Sequence, residues 1–188
     1  MSPYVSTPPT YSTKVMKTRT GNFLPGNLHA SFDNSFFKIS PKEAAHCDPQ
    51  MRVLIRVGFQ ALEAAGVVIP EAKDETSKIG EGIMGTDDVG CFVGIGTTDY
   101  YLNLRNDVGV HYVPGVLPAF LAGRLAYALH LSGPAMVQNT ACSSSMVAIQ
   151  MACRALLAGD CKAALTGGVN IFTSPDVRLC LFILYSIC

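Results

Sequence analysis

Apolar positions mark out the elements of the chain before anything else does. Met51, Leu54, Gly58, Leu62 and Ala65 recur at the spacing of one helical face, directly after Asp48-Pro49, a cap residue followed by the residue best tolerated in a first helical turn. Gly66 is placed to end that helix in the left-handed conformation. Residues 71–88 read as a polar, glycine-containing loop, and residues 89–96 (VGCFVGIG) as a short buried strand. A second helix is predicted over residues 117–129, with Ser132-Gly133-Pro134 as the break after it. Residues 135–141 read as another strand, running straight into Cys142-Ser143-Ser144-Ser145 and a helix to about residue 158. That helix has Gln150 and Arg154 as its only long polar side chains, which predicts burial on all sides. Gly159-Asp160 closes it, and residues 163–170 form a further strand. Strands alternating with helices at this spacing predict an α/β layered fold with a mainly parallel sheet.

Composition narrows the function classes. The chain has 188 residues, 14 Lys+Arg against 14 Asp+Glu, and 49% hydrophobic residues. Charged residues make up 15%, against roughly 25% in an average soluble domain. Such a chain has the apolar surface to offset chain entropy and suits one domain or half of a larger one. Without a basic cluster it is a poor partner for nucleic acid. No apolar run approaches the ~20 residues of a membrane span, and the first 20 residues, rich in Ser, Thr, Pro and Lys, read as a loose leader without a signal-peptide core. The seven cysteines are irregularly spaced, with neither a CxxC nor a Cys/His pair at metal-ligand spacing. A disulfide framework or a metal site is therefore not expected, and a reducing cytoplasm fits. Gly94-x-Gly96 lacks the third glycine of a dinucleotide fingerprint.

The chemistry concentrates in residues 139–149, NTACSSSMVAI. A strand hands the chain directly to a helix with Cys142 at the turn, near the unpaired N–H groups and positive field of a helix N-terminus. That field favours thiolate over thiol and so generates a nucleophile. An elbow N–H there can donate to the oxyanion formed when sulfur attacks a thioester carbonyl. The three serines are expected to cap the helix and tighten the turn. Spacing alone leaves Cys142 open between a reactive nucleophile and a buried structural cysteine.

Four blocks, in order, carry a resemblance. TACSSSMVAIQMACRALLAGDCKAALTGGVN closely resembles the active-site region of the β-ketoacyl synthase (ketosynthase) domain of type I polyketide synthases. FFKISPKEAAHCDPQMRVLIRVGFQALEAAGV, VGCFVGIGTTDY and AGRLAYALHLSGPA are similar to upstream segments of the same family, with wording that leans to the iterative, fungal type. The resemblance covers residues 21–177. It implies the N-terminal half of a thiolase-like fold, and it places Cys142 at the nucleophile position. It further implies that the cysteine takes an acyl group from the phosphopantetheine of an acyl carrier protein, with no cofactor bound directly, before decarboxylative condensation with a malonyl-type extender. The implied partners are that carrier protein, the remaining synthase domains and a second copy in a homodimer.

The chain also departs from the pattern. The two histidines and the lysine of the family's second half have no counterpart, since His29, His46, His111 and His130 all lie in other contexts. His46 and His130 read as surface or capping histidines. The usual opening IAIVG-type strand is absent, Asn139 stands where the family usually has Asp, and residues 178–188 (RLCLFILYSIC) form an apolar tail unlike the family. That tail is expected to come from a truncated or misassembled reading frame. Condensation by this chain alone is therefore not expected, and a non-catalytic dimerisation or interaction module is the alternative. A thiol hydrolase is a third reading, needing a histidine for Cys142. Cys153 and Cys161 are expected in the core, while Cys47 and Cys91 have no partner at catalytic spacing. The 146–153 run reads as core packing, Gly167-Gly168 as a close approach of strand to helix, and Arg124 with Tyr127 as a pairing within the second helix.

Overall fold

A computed structural model of the chain describes residues 31–69, 85–104 and 106–173. The expected leader over residues 1–20, the tail over 178–188 and most of the 71–88 loop lie outside the described residues. The elements are helix α1 (Pro41–His46), α2 (Pro49–Ala64), strand β1 (Val89–Ile95), helix α3 (Tyr112–Val116), α4 (Leu121–Ala128), strand β2 (Ala135–Gln138), helix α5 (Ser144–Ala158) and strand β3 (Ala163–Val169). The three strands form one parallel sheet in the order β2-β1-β3, with Cys91 opposite Ala135 on one side and Leu165 on the other.

Local chemistry fixes the ends of these elements. Asp48 caps α2, its carboxylate accepting the Gln50 amide at 2.8 Å, and Pro49 occupies the first turn. Gly66 and Gly159 take positive φ values, 75° and 80°, at the ends of α2 and α5. The second helix starts later than its periodicity predicts, because Pro118–Phe120 form a 3-10 turn ahead of α4. Strand β2 stops at Gln138 rather than 141, since the chain must turn into the Asn139–Ser143 elbow.

Alternation along β1 sorts the core into two layers. Val89, Cys91, Val93 and Ile95 face Met51, Ile55 and Leu62 of α2 and Leu121, Leu125 and Leu129 at α4. Phe92 faces the other way, against Ala148, Ala152 and Ala155 of α5. All seven β1 residues are buried, as a central parallel strand covered on both faces requires.

Helix α5 corrects the expectation of all-round burial. It buries only the stripe Ser144, Ala148, Ala152, Ala155, while Met146, Ile149, Cys153, Leu156 and Leu157 are exposed, Leu157 by 86%. Cys153 is thus outside the core, Cys161 inside it. The 146–153 run is likewise core packing on one side only. The physical reason is that the described chain supplies one covering layer, the sheet, and small residues face it. The segment Ala141–Ala158 is long and apolar enough to cross a bilayer by length and composition, contrary to the sequence expectation. Its alanine stripe nonetheless packs on β1 as a sheet-covering helix.

Candidate active site

Parallel strands align their carboxyl ends, and the loops that follow them converge at one edge of the sheet. Three such loops meet here: residues 96–99 after β1, the elbow after β2, and residues 170–173 after β3. The N-terminus of α2 joins them through Gln50, which is fully buried. The Gln50 side chain donates to the Thr97 carbonyl at 2.9 Å and accepts from the Ile171 amide at 3.1 Å. Asp99, also buried, accepts from the Thr173 amide and, at 2.6 Å, from its hydroxyl. Satisfied buried polar groups of this kind fix loop geometry. Burial pushes the Asp48 carboxyl above its ordinary value, against the hydrogen bonds from Gln50 that lower it.

Cys142 sits at this edge, exposed, in the 3-10 turn Ala141–Ser143 that leads into α5. Ala141, immediately before it, has φ +54°. A left-handed conformation costs a non-glycine residue roughly 1–2 kcal/mol, so the surrounding bonds must hold it. The Asn139 carboxamide oxygen accepts from the Ala141 amide at 3.2 Å, and its nitrogen donates to the Gly96 carbonyl at 3.1 Å. The buried Ser144 hydroxyl accepts from the Thr140 amide at 2.8 Å and lies 2.7 Å from the Ala141 carbonyl and 3.1 Å from that of Ile95.

The serines do not cap α5 as expected. Ser143 occupies the N-cap position without a side-chain bond to the helix, and its hydroxyl instead donates to the Thr140 carbonyl at 2.8 Å. Ser143 and Ser144 thus knit the elbow, and the first-turn N–H groups of α5 keep their positive field. Close approach of α5 to the sheet depends on glycine. A Cβ on Gly94 would lie 2.5 Å from the Ser144 carbonyl carbon and the Ser145 nitrogen, and one on Gly168 would lie 2.7 Å from the Ser145 Cβ. Gly167 has nothing within 4 Å of such a Cβ, so only Gly168 of the expected pair serves the approach.

Histidines lie elsewhere. His46 corrects the surface reading: it is buried, its Nδ1 is 2.8 Å from the Lys42 carbonyl, and its Nε2 is 3.1 Å from the Asp107 carboxylate. The backbone bond to Lys42 raises its pKa, burial opposes the rise, and Asp107 adds to it. His111 lies beside it, ring centroids 6.3 Å apart. His130 is exposed at positive φ after α4, at the opposite end of β2 from Cys142. His29 lies outside the described residues, and among the described ones no histidine is hydrogen-bonded to Cys142. Arg124 corrects the expected pairing within its helix: it bonds Glu43 of α1, while Tyr127 is 85% exposed. Burial pushes the Cys47 thiol up to about 11 and the Cys91 thiol up to about 12, so neither is a ready nucleophile.

Neither Gln50 nor Asp99 stands out from the sequence alone. Gln50 lay in plain sight inside the DPQ block, but its role depends on contacts 47 and 121 residues away.

Residues 3–181 match the family model described as "Beta-ketoacyl synthase, N-terminal domain". The chain is 48% identical over 174 residues to an orsellinic acid synthase of Armillaria mellea, covering 91% of this chain and 7% of that protein. It is 43% identical over 166 residues to an orsellinic acid synthase of Beauveria bassiana, covering 88% and 7%. The chain therefore spans less than a tenth of the length of these curated relatives. Among solved structures it is similar to the oxazolomycin ketosynthase domain of Streptomyces albus, with 35% identity and a TM-score of 0.66 over 81% of this chain and 25% of that one. It is also similar to the ketosynthase from module 6 of the bacillaene synthase of Bacillus subtilis, with 30% identity and a TM-score of 0.67 over 84% and 24%. These neighbours bear out the expected thiolase-like α/β fold.

Proposed function

Because the chain belongs to the β-ketoacyl synthase family, as the N-terminal domain of a polyketide synthase ketosynthase, we propose that Cys142 is the acyl-accepting nucleophile. The observation that carries this reading is the exposed thiol on a strained elbow at the carboxyl edge of a parallel sheet, one residue before the N-cap of α5. The Cys142 thiolate attacks the carbonyl carbon of an acyl thioester. A new carbon–sulfur bond forms, the bond to the donor sulfur breaks, and the donor thiol takes the proton that Cys142 gives up. First-turn N–H groups of α5, which begins two residues after Cys142, supply a fixed positive field for the oxyanion.

The donor we assign is the phosphopantetheine thiol of an acyl carrier protein, and the next step is condensation with the carbanion left when a malonyl-type extender loses carbon dioxide. The described residues bring no histidine and no lysine into hydrogen-bond contact with the elbow, so we assign this step to groups supplied by the rest of the synthase. The exposed apolar face of α5 is the face we assign to that second half of the ketosynthase. A homodimer and a cytoplasmic location complete the reading, the latter supported by the irregular spacing of the seven cysteines. The test is product formation by the intact synthase from acyl and malonyl carrier proteins. Cys142→Ser is expected to abolish it, and an undiminished product yield would overturn the assignment.

A further inference from the structure

We infer that Asn139 is a positioning residue for Cys142, acting through the Ala141 amide. The inference rests on the reading of Cys142 as the nucleophile and deepens it.

Ala141 holds a positive φ of 54° with no glycine to ease it, and Cys142 follows directly. Two polar side chains grip that residue. Ser144 is placed to donate to its carbonyl, and Asn139 accepts from its N–H at 3.2 Å. Ser144 is buried against the end of β1 and belongs to the packed interior. Asn139 is exposed, makes little core contact, and spends both ends of its amide on backbone. Its nitrogen reaches the Gly96 carbonyl just beyond β1, and its oxygen reaches the elbow. The side chain therefore references the elbow to the central strand of the sheet. Only an acceptor is needed toward Ala141, whereas the Gly96 contact needs a donor. The two arms are thus separable by substitution: a carboxylate keeps the first and loses the second.

The experiment compares two reactions of Cys142 in the intact protein, each read by peptide mass spectrometry. Acylation by an acetyl thioester of N-acetylcysteamine requires the sulfur and the oxyanion donors in register. Alkylation by iodoacetamide requires an exposed thiol and far less geometry. Asn139→Ala is expected to slow acylation roughly tenfold to a hundredfold, with alkylation within twofold of the parent. Asn139→Asp is expected to restore acylation, because the acceptor arm survives, while lowering the melting temperature through loss of the Gly96 bond. If Asn139→Ala does not fold, Asn139→Leu, of similar shape and apolar, supplies the same comparison at an exposed position. Acylation at the parent rate in Ala or Leu overturns the inference, as does Asp no faster than Ala. Parent protein that alkylates but never acylates at Cys142 defeats the nucleophile reading itself, a distinguishable failure.

Discussion

Substituting Gly94 by alanine tests how the sheet sets the position of the elbow. The added Cβ would stand 2.5 Å from the Ser144 carbonyl carbon and the Ser145 nitrogen and 2.7 Å from the Ser144 oxygen. Ordinary contact begins at 3.4 Å, so the deficit is roughly 0.9 Å. Both sides are backbone, β1 on one and the first turn of α5 on the other, and no rotamer relieves the clash. The N-terminus of α5 must move away from the sheet by about that distance. Overpacking of this kind costs about 1–3 kcal/mol, and the absence of a yielding side chain places it in the upper part of that range. A 1 Å displacement of a reacting group costs about 10²-fold in rate. Urea unfolding and the rate of Cys142 acylation measure the two effects separately. Gly167→Ala is the control, since nothing lies within 4 Å of its added methyl, and it is expected to change neither beyond about 0.5 kcal/mol and twofold. Gly94→Ala matching that control in both measurements would refute the claim that glycine contact with α5 fixes the elbow.

The remaining predictions concern other parts of the molecule. Iodoacetamide at pH 8 is expected to modify Cys142 and Cys153 and to spare Cys47, Cys91 and Cys161, which are buried; peptide mapping that found Cys91 labelled in folded protein would contradict the packing. The His46 pKa lies above its ordinary 6.5, so the protonated contact with Asp107 contributes fully below about pH 6.5 and is lost as pH rises through the folded value. Asp107 is largely exposed and salt screens its part. Asp107→Asn is expected to lower the NMR titration midpoint of His46, and an unchanged midpoint would remove Asp107 from the account. Leu157→Glu is expected to destabilise the intact synthase by about 1–3 kcal/mol if the outer face of α5 is covered there, and an unshifted thermal transition would show that this face stays open to water.

Much of the fold was legible because it is local. Asp48-Pro49 with the apolar spacing after it located α2, and the buried VGCFVGI run located β1. The error over α5 had a definite source. Apolar residues on both faces predict burial on both, but only Ala148, Ala152 and Ala155 pack against the sheet, while Leu156 and Leu157 are exposed among the described residues. The proposed role of Cys142 is legible from its motif, and its strand-to-helix setting from the pattern around it. What held the elbow was not, since Asn139, Ser144, Gln50 and Asp99 act through carbonyls and amides brought together only by the parallel sheet. His46 escapes the sequence for the same reason: its neighbours are Asp107, 61 positions along the chain, and His111, just ahead of α3.

Site-resolved acylation tests the central claim most directly. Intact protein exposed to an acyl thioester, then digested and sequenced by mass spectrometry, is expected to carry the acyl mass on the Cys142 peptide, to retain it without turnover to free acid, and to lose it in Cys142→Ser. Acyl mass on another residue, or labelling that survives Cys142→Ser, would contradict the account.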